Sequence, residues 1–500
     1  MNNHPDILVF MSDQHGADYI GWGSIPVDTP VLNTMRENGT SFDVAYTPCP
    51  LCVPARMSMM SGLLPSNTGI LSNNDTLPDM TPCFTHALVA AGYETVLIGR
   101  MHFVGKDQRH GFTKRLAPDL TPVSWGRPFE AMQKERGVLG FTTFDLGATE
   151  IVGGGESFVE HYDRMVVDRA LEYLSVPHEK PQFILVGTYG PHFPYITGET
   201  LFQKYLERVH LPAFFSFTEQ PDYMDGIAML RQRMKGEEVD EANALACLAA
   251  YCGQIERMDG QIGEIREAFA AYGRQTGHEG VMAYISDHGD TAGERRIYGK
   301  RSFFDKSAKI PALFEGFGIP HGKIVSSPVS LLDIGPTVCE FAGTAFDIGD
   351  GKSLVPFFRD TLYADDDRIV ISQIAEKVDG SAEAALMLRW KNYKYMQFHN
   401  EQIGALLFDM ETDPLEEHNL ADAMPELIAW FCQVAKQTDL ADLERLYSEH
   451  ERNSNWFRIY EQQVGLDDTE RWKDNPPSAR GDLAIKAVYR TKPPKLRKTP

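Results

Sequence analysis

The sequence predicts an α/β fold: a large, mostly parallel central sheet flanked by helices, with a smaller C-terminal α+β subdomain. Three observations lead there. Short β-rich apolar runs alternate with helical segments through most of the chain, the pattern of strand–helix–strand units. These runs are continuously apolar, as strands covered on both faces are. Past about residue 365 closely spaced strand signals replace the alternation. The domain reading is residues 1–365 as an N-terminal domain and 366–500 as a C-terminal subdomain, since 500 residues exceed what one typical core absorbs.

In chain order, DILVFM (6–11), TVLIG (95–99), FILVGTY (183–189) and VMAYIS (281–286) are the buried strands. Helices are expected around 83–91, 162–174 and 242–271. Residues 115–160 carry Pro, Gly and aromatics without a sustained period. VISQIA, ALMLRW, YKYMQF and ALLFDM then suggest a small antiparallel sheet, followed by helices from about 424 to 464. KAVYRTKPPKLRKTP, at the end, is a basic, Pro-rich tail.

Composition narrows the function class. Hydrophobic residues make up 43% and charged residues 24%, with a net charge of −22. An acidic chain of this kind is not a general binder of nucleic acid or anionic membranes. It can still take an anionic substrate where local cations override the global sign. The seven scattered cysteines do not form a disulfide framework. No run approaches the roughly 20 apolar residues needed to span a bilayer, and MNNHPDILVFMSDQ has no basic leader. The expectation is a reduced, cytoplasmic protein.

Parallel α/β sheets bind ligands outside the carboxyl ends of their strands. Ser12, Asp13 and Gln14 follow the first strand, and Arg100 and His102 the second. Gly190, Pro191 and His192 end the third; Asp287, His288, Gly289 and Asp290 follow the fourth. A single Asp after a strand is usually a turn or cap former. Four strand ends carrying such groups are harder to dismiss. Asp13, Asp287 and His288 suit a divalent cation. Arg100, His102, His192 and Lys300 supply charge and proton transfer for an anion.

The segment TPCPLCVPARMSMMSG (47–62) adds a nucleophile. Pro54 and the Met-rich run place Cys52 at the start of a helix, where free N–H groups favour an anion. Arg56 beside it lowers a thiol's pKa. A zinc site built on Cys49 and Cys52 lacks a second cysteine pair. A thiol-redox pair stays open at this point, with Cys49→Ser then as damaging as Cys52→Ser.

CVPARMSMMSG (52–62) resembles the type I, formylglycine-dependent sulfatase signature of the alkaline phosphatase superfamily. The resemblance extends to SDQ (12–14), SDHGDTAGER (286–295) and LFDMETDPLEEHNLA (407–421). Asp-Gln at 13–14 and Asp-His at 287–288 are closest to the choline sulfatase and phosphonate monoester hydrolase branch. The resemblance implies an alkaline phosphatase-like sulfatase fold and hydrolysis of a sulfate ester. It implies that Cys52 is converted to Cα-formylglycine by a maturase reading Pro54, Ala55 and Arg56. Asp13, Gln14, Asp287, His288 and residue 52 are the implied metal ligands, with calcium the usual ion and manganese a rival for the imidazole.

By the same resemblance, Arg56, Arg100 and Lys300 stabilise the sulfuryl group, and His192 with Lys300 serves the departing alkoxide. His102 is the base that regenerates the aldehyde. Arg100 stands where relatives carry Lys, exchanging a point donor for a planar fork. Asn73, in ILSNN (70–74), falls where relatives contact sulfate oxygens. Trp125 and Arg127 are candidates for the alcohol pocket, with surface packing as the alternative. The expected partner is a small-molecule or carbohydrate sulfate ester, choline-O-sulfate included. A phosphonate monoesterase or phosphodiesterase on the same scaffold is the enzymatic rival, and a homo-oligomer is an open expectation.

Overall fold

The computed structural model describes residues 4–464 except 26, 106, 120–147, 150, 228–229, 231–234, 361, 379–380, 400–402 and 437. Trp125, Arg127 and the basic tail therefore lie outside the described residues.

Eight strands form the central sheet. They are β1 (Asp6–Asp13), β2 (Gly39–Phe42), β3 (Glu94–Gly99), β4 (Lys114–Ala117), β5 (Gln182–Pro191), β6 (Gly280–Ser286), β7 (Ala312–Gly316) and β8 (Lys323–Val325). Their order across the sheet is β8-β2-β7-β6-β1-β5-β3-β4. All neighbours pair parallel except β7, which runs antiparallel to β6 and β2. The four strands read from the sequence are thus consecutive, as β6-β1-β5-β3. Ile7 lies level with Phe183 on one side and Val281 on the other, so the carboxyl ends open along one edge.

The continuous apolar runs have a direct structural cause. Ile7, Val9 and Met11 of β1 enter one core, while Leu8 and Phe10 enter the core on the opposite face. Both faces are covered, so no position is left for a polar residue. Helix α1 (Cys52–Ser61) lies on the first face, with Val53, Ala55, Met57, Met59 and Met60 in its core. The Met run is packing, as its composition suggests. Helices α2 (Phe158–Leu174) and α3 (Glu241–Thr276) cover the other face through Val159, Tyr162, Val166, Met258, Ile262 and Ile265. Asp240 caps α3 by accepting from Asn243 N.

The C-terminal strands β9 (Ile369–Val378), β10 (Ser381–Trp390), β11 (Tyr393–Phe398) and β12 (Leu406–Asp409) form a separate antiparallel sheet. Helices α4 (Pro425–Ala435) and α5 (Leu440–Val464) follow. This sheet backs the segments on both sides of α1. Gln373 N donates to Pro48 O at 2.8 Å, and Ser66 N donates to Gln373 Oε1 at 2.9 Å. Lys394, fully buried, reaches Asp305 Oδ1 at 2.6 Å and Glu416 Oε1 at 2.7 Å. Cys49 packs here with Tyr46, Leu51 and Phe303 as a small buried hydrophobe.

Candidate active site

Helix α1 begins at Cys52 itself and ends in Gly62 at φ 73, a left-handed cap that glycine adopts without cost. The motif is therefore one complete helix. Its first residue lies beside the groups at the carboxyl ends of β1 and β6, and its first turn carries N–H groups without intrahelical partners. Asn73 Oδ1 takes one of them, accepting from Val53 N at 2.9 Å. The sequence reading places Asn73 at the sulfate; in the structure its carbonyl caps the first turn of α1.

Residues from the carboxyl ends of β1 and β6 converge on Cys52. Its Sγ lies 3.2 Å from His288 Nε2 and 3.8 Å from Asp13 Oδ1. Ligand atoms of Asp13, Cys52, Asp287 and His288 all fall within 4.8 Å of one another, and all four residues are buried. Two carboxylates and a thiol this close repel one another in a dry site, which a cation relieves. Two oxygen donors, one imidazole and the position-52 group make a donor set that fits a divalent ion. His288 Nδ1 lies 3.0 Å from Gly289 O. That bond orients the ring and leaves Nε2 for the cluster.

Gln14 stands beside this group with backbone in the left-handed region, at φ 72. Its N–H donates to Asp287 Oδ1 at 3.0 Å, which helps hold that conformation. Its side chain is engaged at both ends. Nε2 donates to Asp290 Oδ2 at 2.5 Å, and Oε1 accepts from Lys300 Nζ at 2.7 Å.

Both arginines lie behind the carboxylates. Arg56 donates through Nε to Asp287 Oδ2 at 2.8 Å and through Nη2 to Asp13 Oδ2 at 3.2 Å. Arg100 donates through Nε to Asp13 Oδ2 at 2.6 Å and through Nη1 to Asp119 Oδ1 at 3.0 Å. Its Nη2 sits 2.8 Å from His102 Nδ1. Their side chains are 0% and 1% exposed. The sequence reading puts both on the sulfuryl group; the structure directs them to the groups that would hold the metal and the proton. Arg56 Nη1 also reaches Arg100 O at 3.3 Å. That carbonyl sits where a Cβ on Gly187 would come within 1.9 Å of it, so only glycine fits there.

These contacts settle hydrogen positions. Guanidinium groups only donate, so His102 Nδ1 accepts and the neutral ring carries its proton on Nε2. Burial and the neighbouring Arg100 charge hold His102 below the usual imidazole range. Burial opposes ionisation of the Cys52 thiol, yet the neighbouring charges of Lys300 and His288 carry it well below its ordinary value. For Asp287 burial dominates and raises the carboxyl despite Arg56. Asp13 is buried too, but the cations Arg100 and Arg56 hold it far down. Cys49 shows the opposite of Cys52: burial pushes its thiol up.

His192 and Lys300 close the site from the other side. Lys300 Nζ lies 2.6 Å from His192 Nε2, and His192 Nδ1 lies 2.7 Å from Phe193 O. The structure thus gathers Asp13, Gln14, Cys52, Arg56, Asn73, Arg100, His102, His192, Asp287, His288 and Lys300 in one place.

Two acids that sequence reasoning missed hold this machinery. Asp119 Oδ2 accepts from the backbone N–H of His102 at 2.7 Å and Met101 at 3.2 Å, fixing the turn in which His102 sits at φ 57. Asp163, from α2, accepts from Tyr189 N at 2.8 Å and Gly190 N at 3.1 Å, anchoring the start of the His192 loop. A Cβ on Gly190 would meet Asp163 Oδ2 at 2.7 Å. Neither acid lies in a recognisable motif; the only signal is an isolated Asp in an irregular or helical segment.

Comparison with known proteins follows the same lines. The sulfatase family model matches residues 5–344, and the model for the C-terminal region of N-sulphoglucosamine sulphohydrolase matches 293–439. A choline-sulfatase of Rhizobium meliloti (strain 1021) is 32% identical over 437 residues, covering 84% of this chain and 82% of the relative. Arylsulfatase K of Danio rerio is 27% identical over 494 residues, covering 93% and 89%. Among solved structures, the phosphonate monoester hydrolase of Agrobacterium radiobacter aligns with a TM-score of 0.68 at 20% identity, covering 89% of this chain and 96% of that one.

Proposed function

Taking as premise that this chain belongs to the sulfatase family and is a sulfuric ester hydrolase, we propose that it works through a formylglycine made from Cys52. The observation that carries this reading is the convergence of Asp13, Asp287 and His288 on the first residue of α1. Asp13, Asp287, His288 and residue 52, with Gln14 beside them, would hold a divalent ion, calcium or else manganese, that supplies Lewis-acid charge. Formylglycine, when hydrated, supplies two hydroxyls: one to attack sulfur and one to expel the sulfate. Serine could do only the first.

The chain's own residues then have distinct tasks. Arg56 helps to keep Asp13 ionised and holds both Asp13 and Asp287 correctly turned. Arg100 does this for Asp13 and also sets the tautomer of His102. His102, with its proton on Nε2, donates to the position-52 group, and it takes up the hydroxyl proton as base only after that Nε2 proton has been given away. Lys300, held by Gln14 and His192, stabilises the oxygen that departs with the alcohol.

The substrate is a small or carbohydrate sulfate ester, a choice supported by relatives named for choline sulfate, aryl sulfates and a hexuronate 2-O-sulfate. Trp125 and Arg127 are proposed for the alcohol pocket. A formylglycine-generating maturase is a required partner, and a homo-oligomer is compatible with this reading. Cytoplasmic location is proposed on the six cysteines other than Cys52, none of them paired, which suit a reducing compartment. Among the described residues no helix is long and apolar enough to cross a membrane.

The test is turnover of matched sulfate monoesters, phosphodiesters and phosphonate monoesters by the metal-loaded, matured enzyme. Preference for the sulfate supports this reading. A clear preference for the phosphodiester or phosphonate assigns the site to phosphoryl transfer instead, which needs similar charge placement.

A further inference from the structure

Asp290 ends the SDHGD block yet has no task in the reading above. It is fully buried, and four donors surround it. Oδ2 accepts from Gln14 Nε2 at 2.5 Å and from Tyr195 OH at 2.8 Å. Oδ1 accepts from the backbone N–H of Ala292 and Gly299, both at 2.8 Å.

A carboxylate so surrounded only accepts, so the end of the Gln14 amide turned to it must be the NH2. The amide orientation is therefore imposed chemically, and Oε1 must face the other way. There it meets Lys300 Nζ at 2.7 Å. An ammonium has three donors and no acceptor, so His192 Nε2, 2.6 Å away, accepts the second hydrogen. His192 Nδ1 in turn donates to Phe193 O. Two of the three ammonium hydrogens are directed backward, which leaves the third for the substrate.

We propose that Asp290 is a positioning residue: by fixing the Gln14 amide it aims the Lys300 ammonium at the departing oxygen of the ester. This rests on the sulfatase reading above and on the task given there to Lys300. Asp290→Asn tests it. The Asn oxygen would keep the two backbone donors, turning an NH2 toward the NH2 of Gln14. Two donors then face each other, and relief comes from flipping the Gln14 amide, which presents NH2 to Lys300. Charge stabilisation of the departing oxygen matters most for poor leaving groups. A merely structural role for Asp290 would depress all substrates alike.

The experiment measures kcat/KM across aryl sulfates of graded leaving-group acidity and one alkyl sulfate, with the metal-loaded, matured enzyme. For Asp290→Asn the expected loss is under about 10-fold on 4-nitrophenyl sulfate and about 100-fold or more on the alkyl sulfate. The double variant Asp290→Asn, Gln14→Glu restores a donor facing an acceptor, with a carboxylate oxygen left for Lys300. Because Gln14 also stands beside the metal cluster, its absolute rate can fall, but its leaving-group dependence is expected to return to that of the wild type. Equal losses across the series, or a double variant that keeps the steep dependence, overturns the proposal. Should the single variant not fold, the double variant alone decides by the same comparison. A wild-type enzyme inactive on every sulfate ester would sink the sulfatase reading itself, a distinguishable outcome.

Discussion

Replacing Arg100 by Lys separates two tasks that the residue could have: touching the substrate, or organising the groups that do. Arg100 spends three nitrogens on Asp13 at 2.6 Å, Asp119 at 3.0 Å and His102 Nδ1 at 2.8 Å. A lysine ammonium keeps the charge and one contact, which the short bond to Asp13 favours, but cannot span the fork. The bond to Asp119 is lost, and so is the one that dictates the His102 tautomer. Hydrogen bonds involving charged groups are worth about 1.5–3 kcal/mol each. Asp119 retains its two backbone donors and Asp13 retains Arg56, so only part of that loss is felt.

Freed from Arg100, His102 can hold its proton on either nitrogen. A positioned proton-transfer group contributes about 10²–10⁴-fold, and partial disorder forfeits a fraction of it. The expected result is a kcat lower by about 10–100-fold, or about 1.4–2.7 kcal/mol, with KM changed less than about threefold. Steady-state kinetics on 4-nitrophenyl sulfate, at matched metal and formylglycine content, supplies the assay. A KM raised tenfold or more with kcat intact would refute this reasoning, because it would mean Arg100 binds the sulfate directly.

Cys52→Ser should lose more than about 10³-fold in turnover, since serine has no second hydroxyl to release sulfate, whereas Cys49→Ser should stay within about twofold; comparable losses would revive the two-cysteine readings. Chelation of the purified enzyme should abolish turnover and lower its melting temperature, with calcium or manganese restoring both. At 100 times its Kd the ion would contribute about 2.7 kcal/mol of stability, and an unchanged melting curve would count against a metal at this cluster. Burial raises the Asp163 carboxyl to about 6 in the folded chain, above its unfolded value near 4. The native state thus binds the extra proton, so this group's contribution is full below about pH 4 and fades as pH rises through about 6, by roughly 2–3 kcal/mol. Asp163→Asn should flatten that part of the stability profile while costing about 1–3 kcal/mol for the lost acceptor; a profile with its slope unchanged there would contradict the assignment.

Much of this architecture is legible in the sequence because burial on both faces leaves a plain signature. The β1 run from Ile7 to Met11 feeds two cores alternately, so every position is apolar. The chemistry at strand ends is legible for a related reason: only there does the continuous apolar run stop. Strand order is not. That β6, β1, β5 and β3 are consecutive depends on long-range pairing such as Ile7 with Val281 and Phe183, which no local pattern encodes.

Roles were harder to read than positions. Arg56 lies in the motif, but its place behind Asp13 and Asp287 follows from the packing of α1 against the sheet edge. Asn73 has a polar end that serves helix and ligand equally well on paper; in the fold its carbonyl caps Val53. Asp119 and Asp163 hold backbone N–H groups at sequence separations of 17 and 26 or more from the turns they fix. A lone Asp with a distant backbone partner has no sequence signature, whereas a helix cap has its partner within three residues.

The most direct measurement compares, across preparations made with differing amounts of maturase, the fraction of Cys52 converted to formylglycine with specific sulfate-ester turnover. Peptide mass spectrometry across residues 52–62 supplies the first quantity and sulfate release the second. Turnover is expected to rise in proportion to conversion and to vanish where Cys52 is unmodified. Full activity in material that carries only cysteine at position 52 would contradict the reading at its centre.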